Sequence, residues 1–364
     1  MDYDVLIVGG GPAGLYLSKL LKSFSVLVVE ENSKIGIPVT CAGLVGKDLF
    51  DEFDISKKSI ISKVSNAKIF SPDMESFTIG RKNIACVIDR ERFDNDCFKG
   101  SSAELMLNTK FLGYDGAHAV LRREREKIYV KAQTIVGADG PFSKVRKVFR
   151  FNIRPQIYLG LQYVVEGRFD TDVVEIHFGE FSEDFFGWVI PVSEKMARVG
   201  FATKNKPERT MKLFLKRIQY RKILEKIGGA IPIGYGETAK ESILLVGDAA
   251  SQVKPTTGGG LYYALKCSEI AAEHIMRGDI AGYDKGWKRI LGNEIKYGII
   301  MRKIYEKMSM DNVEKIFNFF KENAEYIEKK ADYERHLEVF LSLLLRKNAP
   351  KLFIEMLKSF RNSI

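Results

Sequence analysis

Gly9, Gly11 and Gly14 stand at the spacing Gly-x-Gly-x-x-Gly, and a carboxylate, Glu30, follows 21 residues after the first of them. Each position answers a demand of phosphate binding. The first glycine permits a tight turn, the second lets backbone N–H groups approach a pyrophosphate, and the third allows close packing of a helix on a strand. A helix N-terminus at that turn favours the phosphate charge. A carboxylate at Glu30 can hold ribose hydroxyls and suits a free 2′-hydroxyl. The bland alternative is an ordinary tight turn.

The flanking elements favour the dinucleotide. Val5–Val8 is an apolar, β-branched run that suits a buried parallel strand. Leu15 to Leu21 has helical spacing, and Val26–Val29 is a second buried strand. Two later carboxylates also follow buried runs. Asp139 in Gly137-Ala-Asp-Gly140 follows Thr134–Val136, and Asp248 in Gly247-Asp-Ala-Ala250 follows Ile243–Val246. In open α/β sheets ligands sit at such strand ends. Asp248 can hydrogen-bond the ribityl chain of a flavin. Pro255 and Gly258-Gly259-Gly260 then open a helix whose amides can meet the flavin N1–C2=O edge and stabilise reduced flavin. Asp139 reads at least equally as a helix cap.

These motifs resemble the p-hydroxybenzoate-hydroxylase-like class of FAD enzymes. The resemblance runs through Gly-x-Gly-x-x-Gly, Asp89-Arg90-x-x-Phe93-Asp94, Gly137–Gly140 and Gly247-Asp248, about two thirds of the chain. Within that class the chain is most similar to the geranylgeranyl reductase family. Pro38-Val-Thr-Cys41-Ala42-Gly43 resembles its cysteine loop, and Pro255–Leu261 its flavin loop. Phe185-Phe186-Gly-Trp188-Val-Ile-Pro191 resembles its aromatic substrate motif, with Ile190 where phenylalanine is usual. The resemblance implies FAD contacts at Gly9, Gly11, Ala13, Gly14, Glu30, Cys41, Ala42, Gly43, Arg90, Asp248, Gly258, Gly259, Gly260 and Leu261. It implies substrate contacts at Phe186, Trp188 and Pro191. Cys41 becomes the catalytic candidate as proton donor by position, with an ordered water as its equal. The bland alternative for Arg90 is a surface charge at a helix start. Halogenases share a Trp-x-Ile-Pro element, so Trp188–Pro191 alone does not choose a reaction.

The remaining chemistry-bearing residues are sparse. The four cysteines, Cys41, Cys86, Cys97 and Cys267, are too few and scattered for a disulfide scaffold or zinc ribbon. Cys41 and Cys267 form either a redox pair beside the flavin or two separate buried thiols, the commoner arrangement. His118, His177, His274 and His336 lack metal-ligand spacing, so no metal is expected. His177 reads as a satisfied sheet histidine.

The chain has 364 residues, enough for about two domains with a large core, and its 45% hydrophobic and 29% charged content excludes disorder. Lysine plus arginine is 57 against 47 acids, a net charge of +10. That permits anionic ligands or an anionic membrane; nucleic acid is not expected, because no recognised binding module accompanies the charge. With no basic region before the first apolar segment and no small-residue cleavage site after it, no leader is expected, and no stretch approaches the ~18 apolar residues of a membrane span. From Phe340 to Ile364, Arg346, Lys347, Lys351, Lys358 and Arg361 interleave with apolar residues. That pattern suits equally an amphipathic pair of helices on anionic lipid or a cap on the first domain.

The expected fold is α/β. A Rossmann-like FAD-binding domain (residues 1–150) is interrupted by an antiparallel-sheet substrate domain (151–236), resumes at 237–285, and ends in a helical region (286–364). Strands are expected at Asp172–Phe178, Gly187–Ile190 and Ala197–Ala202, and a helix at Pro207–Ile218. The expected activity is FAD-dependent reduction of isoprenoid double bonds, in a geranylgeranyl lipid or prenyl diphosphate. The electron donor would be NAD(P)H, ferredoxin or another small carrier, since no second Gly-x-Gly-x-x-Gly is present. Alternatives are an FAD monooxygenase or halogenase, or a non-catalytic lipid-binding flavoprotein. The expected location is cytoplasmic, either soluble or peripheral on the inner face of the cell membrane.

Overall fold

The computed structural model describes residues 2–205, 207–346 and 349. Two eight-stranded sheets organise them. In the first, Asp2–Val8 lies between Val26–Val29 and Glu126–Gly137, parallel to both. Glu104–Met106 extends it on one side and Ile243–Leu245 on the other, again in parallel. Over Val5–Val8, Val26–Val29 and Ile243–Leu245 these strands are apolar, because other elements cover both faces. Pro12–Leu20 and Leu261–Met276 pack over one face and enclose Leu15, Leu17, Tyr263, Leu265 and Cys267. The meander Thr109–Tyr114, Ala119–Arg123 and Glu126–Gly137 covers the other, around Phe111, Leu121 and Val130. The return of the chain at Ile243 is therefore the parallel insertion that the sequence implies.

The second sheet runs Lys222–Ile233, Gln156–Glu166, Met196–Thr203, Gly187–Ser193, Val173–His177, Ile60–Phe70, Ser76–Ile88, Leu44–Gly46. Three of its strands come from residues 44–88, ahead of the expected boundary at 150. Pairing between residues a hundred positions apart leaves no local trace. It is also not wholly antiparallel: Val173–His177 runs parallel to Ile60–Phe70, because it arrives by a crossover from the other segment. Helix Pro207–Leu215 covers one face, where Met211 and Phe214 pack on Val199 and Phe201.

Cross-strand register fixes what the opposite face presents. Trp188 pairs with Gly200, Gly200 with Gln162, and Gln162 with Ile227, so these four share a face. Arg198 lies two residues from Gly200 on that same face. The chain ends in helices Gly282–Tyr305, Met310–Glu322, Ala324–Lys330 and Leu337–Leu344. Leu337–Leu344 buries Phe340, Leu343 and Leu344 in an apolar cluster with Phe319. The basic stretch at Lys347, Lys351, Lys358 and Arg361 lies outside the described residues.

Candidate functional site

The glycine turn is built as its spacing demands. Gly9 has φ +115°, open to glycine at little cost. A methyl group at Gly14 would strike the Gly9 carbonyl oxygen, so the third glycine lets the helix approach the strand. At Gly11 a methyl group would meet nothing within 4 Å, which leaves its backbone facing open space. Gly11 heads helix Pro12–Leu20 with no side-chain cap, so the first amides of that helix are free for a ligand. Glu30 Oε2 accepts from the Gly10 amide at 2.7 Å, and Oε1 from the Asn32 amide at 2.8 Å. The carboxylate thus holds the turn in shape while keeping further lone pairs for a ribose.

Asp139 caps a helix. It accepts from Ser143 Oγ at 2.5 Å and from the Lys144 and Val145 amides at 2.6 and 3.0 Å. Burial raises its pKa, and these donors pull it back.

Asp248 differs: its carboxylate takes no hydrogen bond from the described residues, although burial pushes its pKa up to about 6, with Arg90 acting in the other direction. A methyl group at Gly260 would come 3.3 Å from Asp248 Oδ1, and Gly260 heads helix Leu261–Met276 without a side-chain cap. Gly247, at φ +63°, brings the same segment to Ala13: a methyl group there would lie 3.0 Å from Ala13 Cβ. Two bare helix starts and one unpaired carboxylate therefore converge.

Arg90 begins helix Arg90–Phe98 and forms a bidentate pair with Asp94, at 3.0 and 2.9 Å. Burial opposes its charge, but Asp94 and the Cys41 thiol beside it hold the proton more firmly. Cys41 is half-buried, and its sulfur accepts from the Gly43 amide at 3.3 Å. Arg198 reaches over from the second sheet to donate to the Ala42 carbonyl at 2.7 Å. Gly43, at φ +70°, has no room for a side chain, because a methyl group would strike Arg198 Nη1. Thr40 lies against Gly229 of that same sheet face. The Cys41 loop is thus sandwiched between Arg90 and Arg198. All four thiols are free, and Cys267 lies in the first core beside Tyr283, so the structure has two separate thiols.

The aromatic wall meets the Gly258–Gly260 loop at Gly258. This residue has φ +75°, and a methyl group there would lie 3.4 Å from the Phe185 ring. Phe186 contacts Phe185 and Trp188 at ring separations of 4.8 and 6.3 Å. Trp188 shares apolar surroundings with Ala42 and Tyr333 on one side, and with Val253 and Ile231 on the other. Pro191 is a correction. Strand alternation puts it with Val189 and its partner Ala197 on the helix-covered face. It sits where the strand register shifts, as proline in an inner strand requires. His177 lies on that face too, stacked on Phe70 at 4.3 Å and bonded to Glu175 at 2.9 Å.

Four site residues had no sequence signal. Gln162 and Arg198 lie on strands of the second sheet, and only cross-strand register brings them in. Tyr333 and Glu334 come from the helical region. Glu334 pairs with Lys254 at 2.7 Å, both buried, and Lys254 also donates to the Tyr333 carbonyl at 2.9 Å. The Lys254 ammonium lies 4.6 Å over the Tyr333 ring, and Tyr333 lies near the Cys41 thiol. This segment therefore covers the loop that leads to Gly258–Gly260. Among the described residues no cluster suits a metal ion, and no helix is long and apolar enough to cross a membrane.

The profile of the lycopene cyclase protein family matches residues 4–329. An uncharacterised protein of Methanocaldococcus jannaschii is 33% identical over 94% of this chain and 95% of its own. Digeranylgeranylglycerophospholipid reductase 1 of Methanococcoides burtonii is 30% identical over 86% of each chain. The fold matches that of a geranylgeranyl bacteriochlorophyll reductase-like protein from Thermoplasma acidophilum, at TM-score 0.84 and 21% identity, covering 100% of this chain and 99% of that one. It also matches the flavin-dependent brominase Bmp2, at TM-score 0.65 and 17% identity over the whole of both chains. With one profile spanning most of its length and a named reductase 30% identical across 86% of it, the chain belongs to the geranylgeranyl reductase family, the digeranylgeranylglycerophospholipid reductase-like proteins within the range of the lycopene cyclase profile.

Proposed function

We propose that this protein is a flavin-dependent reductase of isoprenoid carbon–carbon double bonds, with FAD as its flavin and a geranylgeranyl lipid or diphosphate as its substrate. The named reductases among its relatives support the reaction class. The observation that carries the cofactor is Asp248, a carboxylate with no hydrogen bond among the described residues, set between two helix starts that carry no side-chain cap. A ribityl chain and a pyrophosphate offer what those groups lack, hydroxyl donors for one and anionic oxygens for the others.

The residues divide the work by position. Gly9, Gly11, Ala13 and Gly14 would hold the pyrophosphate, Glu30 the ribose, and Asp248 the ribityl hydroxyls. Gly258, Gly259, Gly260 and Leu261, together with Cys41, Ala42, Gly43 and Arg90, would hold the flavin ring. Bound there in its reduced form, the flavin would supply hydride chemistry to one alkene carbon. The chain aligns the alkene and excludes water, because an isolated double bond is poorly polarised. Phe186 and Trp188 give the apolar wall for that alignment. Cys41, in the loop held between Arg90 and Arg198, would give the proton to the second carbon. A small reductant, NAD(P)H or ferredoxin, docks transiently between turnovers. The net charge of +10 suits approach to an anionic lipid surface.

The test is anaerobic turnover. The purified protein, loaded with FAD and chemically reduced, is given geranylgeranyl diphosphate and, separately, a geranylgeranylated glycerol lipid. Mass spectrometry should show a gain of two hydrogens per bond. No gain with either substrate, with flavin bound and reduced, overturns the reading and directs attention to substrate-stimulated oxygen consumption.

A further inference from the structure

Arg302 lies in the last turn of helix Gly282–Tyr305, and it is buried. No carboxylate of the described residues forms an ion pair with it. Its guanidinium is spent on main-chain carbonyls. Nε donates to Pro255 O at 3.0 Å, Nη1 to Asp184 O at 3.1 Å, and Nη2 to Thr256 O. Its plane sits 3.8 Å from the centre of the Phe185 ring. Two of those carbonyls belong to the loop that leads into Gly258–Gly260, and the third belongs to the segment that carries Phe185 and Phe186. One side chain therefore spans the two halves of the site.

The same helix repeats the pattern with other residues. A methyl group at Gly298 would come 2.9 Å from Pro255 Cδ, so the proline ring rests directly on the helix. Tyr305 Oη donates to the Phe185 carbonyl at 2.9 Å. Glu306, just beyond the helix, pairs with Lys204 at 2.8 Å and receives the Tyr158 hydroxyl. The helix end is thus pinned to the glycine loop on one side and to the aromatic wall on the other.

We propose that Arg302 is a positioning residue that sets the distance between the flavin loop and the substrate wall, so that both move as one body. This rests on the flavin-dependent reading above. A buried cation needs partners, and here three main-chain carbonyls and the Phe185 ring supply them. A planar guanidinium presents its N–H groups in a rigid, spread fork that holds three carbonyls at fixed separations; a lysine ammonium has three donors too, but on one compact atom at the end of a flexible stem. Burial lowers the Arg302 pKa to about 10, still well above neutrality, so the fork stays charged in use.

The experiment compares wild type with Arg302→Lys and Tyr305→Phe. Thermal unfolding establishes folding, the absorption spectrum of bound flavin reports the loop, and steady-state reduction gives kcat and KM. Arg302→Lys should bind flavin with a changed spectrum and lose about tenfold or more in kcat with little change in KM, the mark of misalignment. Tyr305→Phe frees only the wall, so it should lower kcat and leave the flavin spectrum unchanged. An Arg302→Lys protein with wild-type spectrum and kcat overturns the proposal. If Arg302→Lys does not fold, an unchanged kcat in Tyr305→Phe overturns it instead. The spectral comparison needs no prenyl turnover. A wild-type protein that binds flavin but reduces no prenyl chain would therefore defeat the reductase reading while the spectrum still judged the joint.

Discussion

Trp188 Nε1 donates to Gln162 Oε1 at 3.1 Å across Gly200, which lies between them in the sheet. The indole N–H has no other acceptor in this contact, so it fixes which way the Gln162 amide points. Gln162 Nε2 is then left buried without a partner among the described residues. Removing one member strands the other. Trp188→Phe and Gln162→Leu should each destabilise by about 1–3 kcal/mol, the penalty for an unsatisfied buried polar group. The double variant should lose less than the sum, since neither group is then left alone. Urea unfolding gives these values. Both single variants should keep flavin and weaken prenyl turnover; loss of flavin would show that Trp188 serves the cofactor and not the substrate.

The first glycines separate fold from binding. A methyl group at Gly11 meets nothing, so Gly11→Ala should cost about 1 kcal/mol or less as a change at a helix cap. It should nonetheless weaken flavin binding, because the methyl fills the space a phosphate needs. Gly14→Ala should lose about 1–3 kcal/mol from overpacking against the Gly9 carbonyl. Melting curves paired with flavin titration decide this. Equal flavin affinity in wild type and Gly11→Ala would remove Gly11 from the cofactor site.

Asp248 gives a pH signature. Folding raises its pKa from 3.8 to about 6, so the folded state holds the proton more tightly than the unfolded chain. Below about 4 both states are protonated and the group contributes nothing. A cost then grows as pH rises to about 6 and stays constant above. Asp248→Asn should therefore stabilise the flavin-free protein at pH 7, by about 2 kcal/mol at most after allowance for partial exposure, and not at pH 4. The same change should weaken flavin binding. Unaltered affinity at neutral pH would count against a ribityl contact.

His336 acts in the opposite sense. Its Nδ1 meets Thr256 Oγ1 at 2.7 Å and its Nε2 meets the Tyr333 carbonyl at 3.1 Å, a pattern that suits the neutral ring. Burial lowers its pKa to about 4, with Lys254 adding to the effect. Its stabilising contribution is present above the unfolded value of 6.5 and is lost as pH falls through about 4. Unfolding measured between pH 7 and pH 4 should show this decline, and His336→Gln should flatten it. An equally steep decline in the variant would assign the acid sensitivity elsewhere.

The Lys254–Glu334 pair is buried on both sides, so Lys254→Met should cost about 3–5 kcal/mol by leaving a carboxylate unpaired. Lys254→Met with Glu334→Leu should recover much of that loss. Failure to recover in chemical denaturation would show that the pair is held for geometry rather than for charge balance.

The local parts of the site were readable because each rests on a short-range rule. The strand, turn and helix at Val5–Leu20, the carboxylate at Glu30 and the glycines at Gly258–Gly260 announce themselves within a few residues. What sequence could not show is long-range. Gln162 meets Trp188 only through cross-strand register, Arg302 reaches Pro255 through a helix docked from the chain's end, and Tyr333 lies by Cys41 across nearly three hundred residues. The strands at 60–88 alternate too weakly in burial to declare which sheet they join. Pro191 misled for a related reason: its motif neighbours Trp188 in sequence, but a strand turns adjacent side chains to opposite faces.

Tyr333 and Glu334 also impose an order on manufacture. Synthesis runs from the N-terminus, and early segments can fold while later ones are still being made. The glycine turn at Gly9 emerges first, yet the ion pair that braces the flavin loop needs Glu334. A nascent chain released or stalled before that residue carries the mark of a nucleotide-binding protein without its cover. The brace on the Gly258–Gly260 loop is thus among the last parts of the site to be assembled.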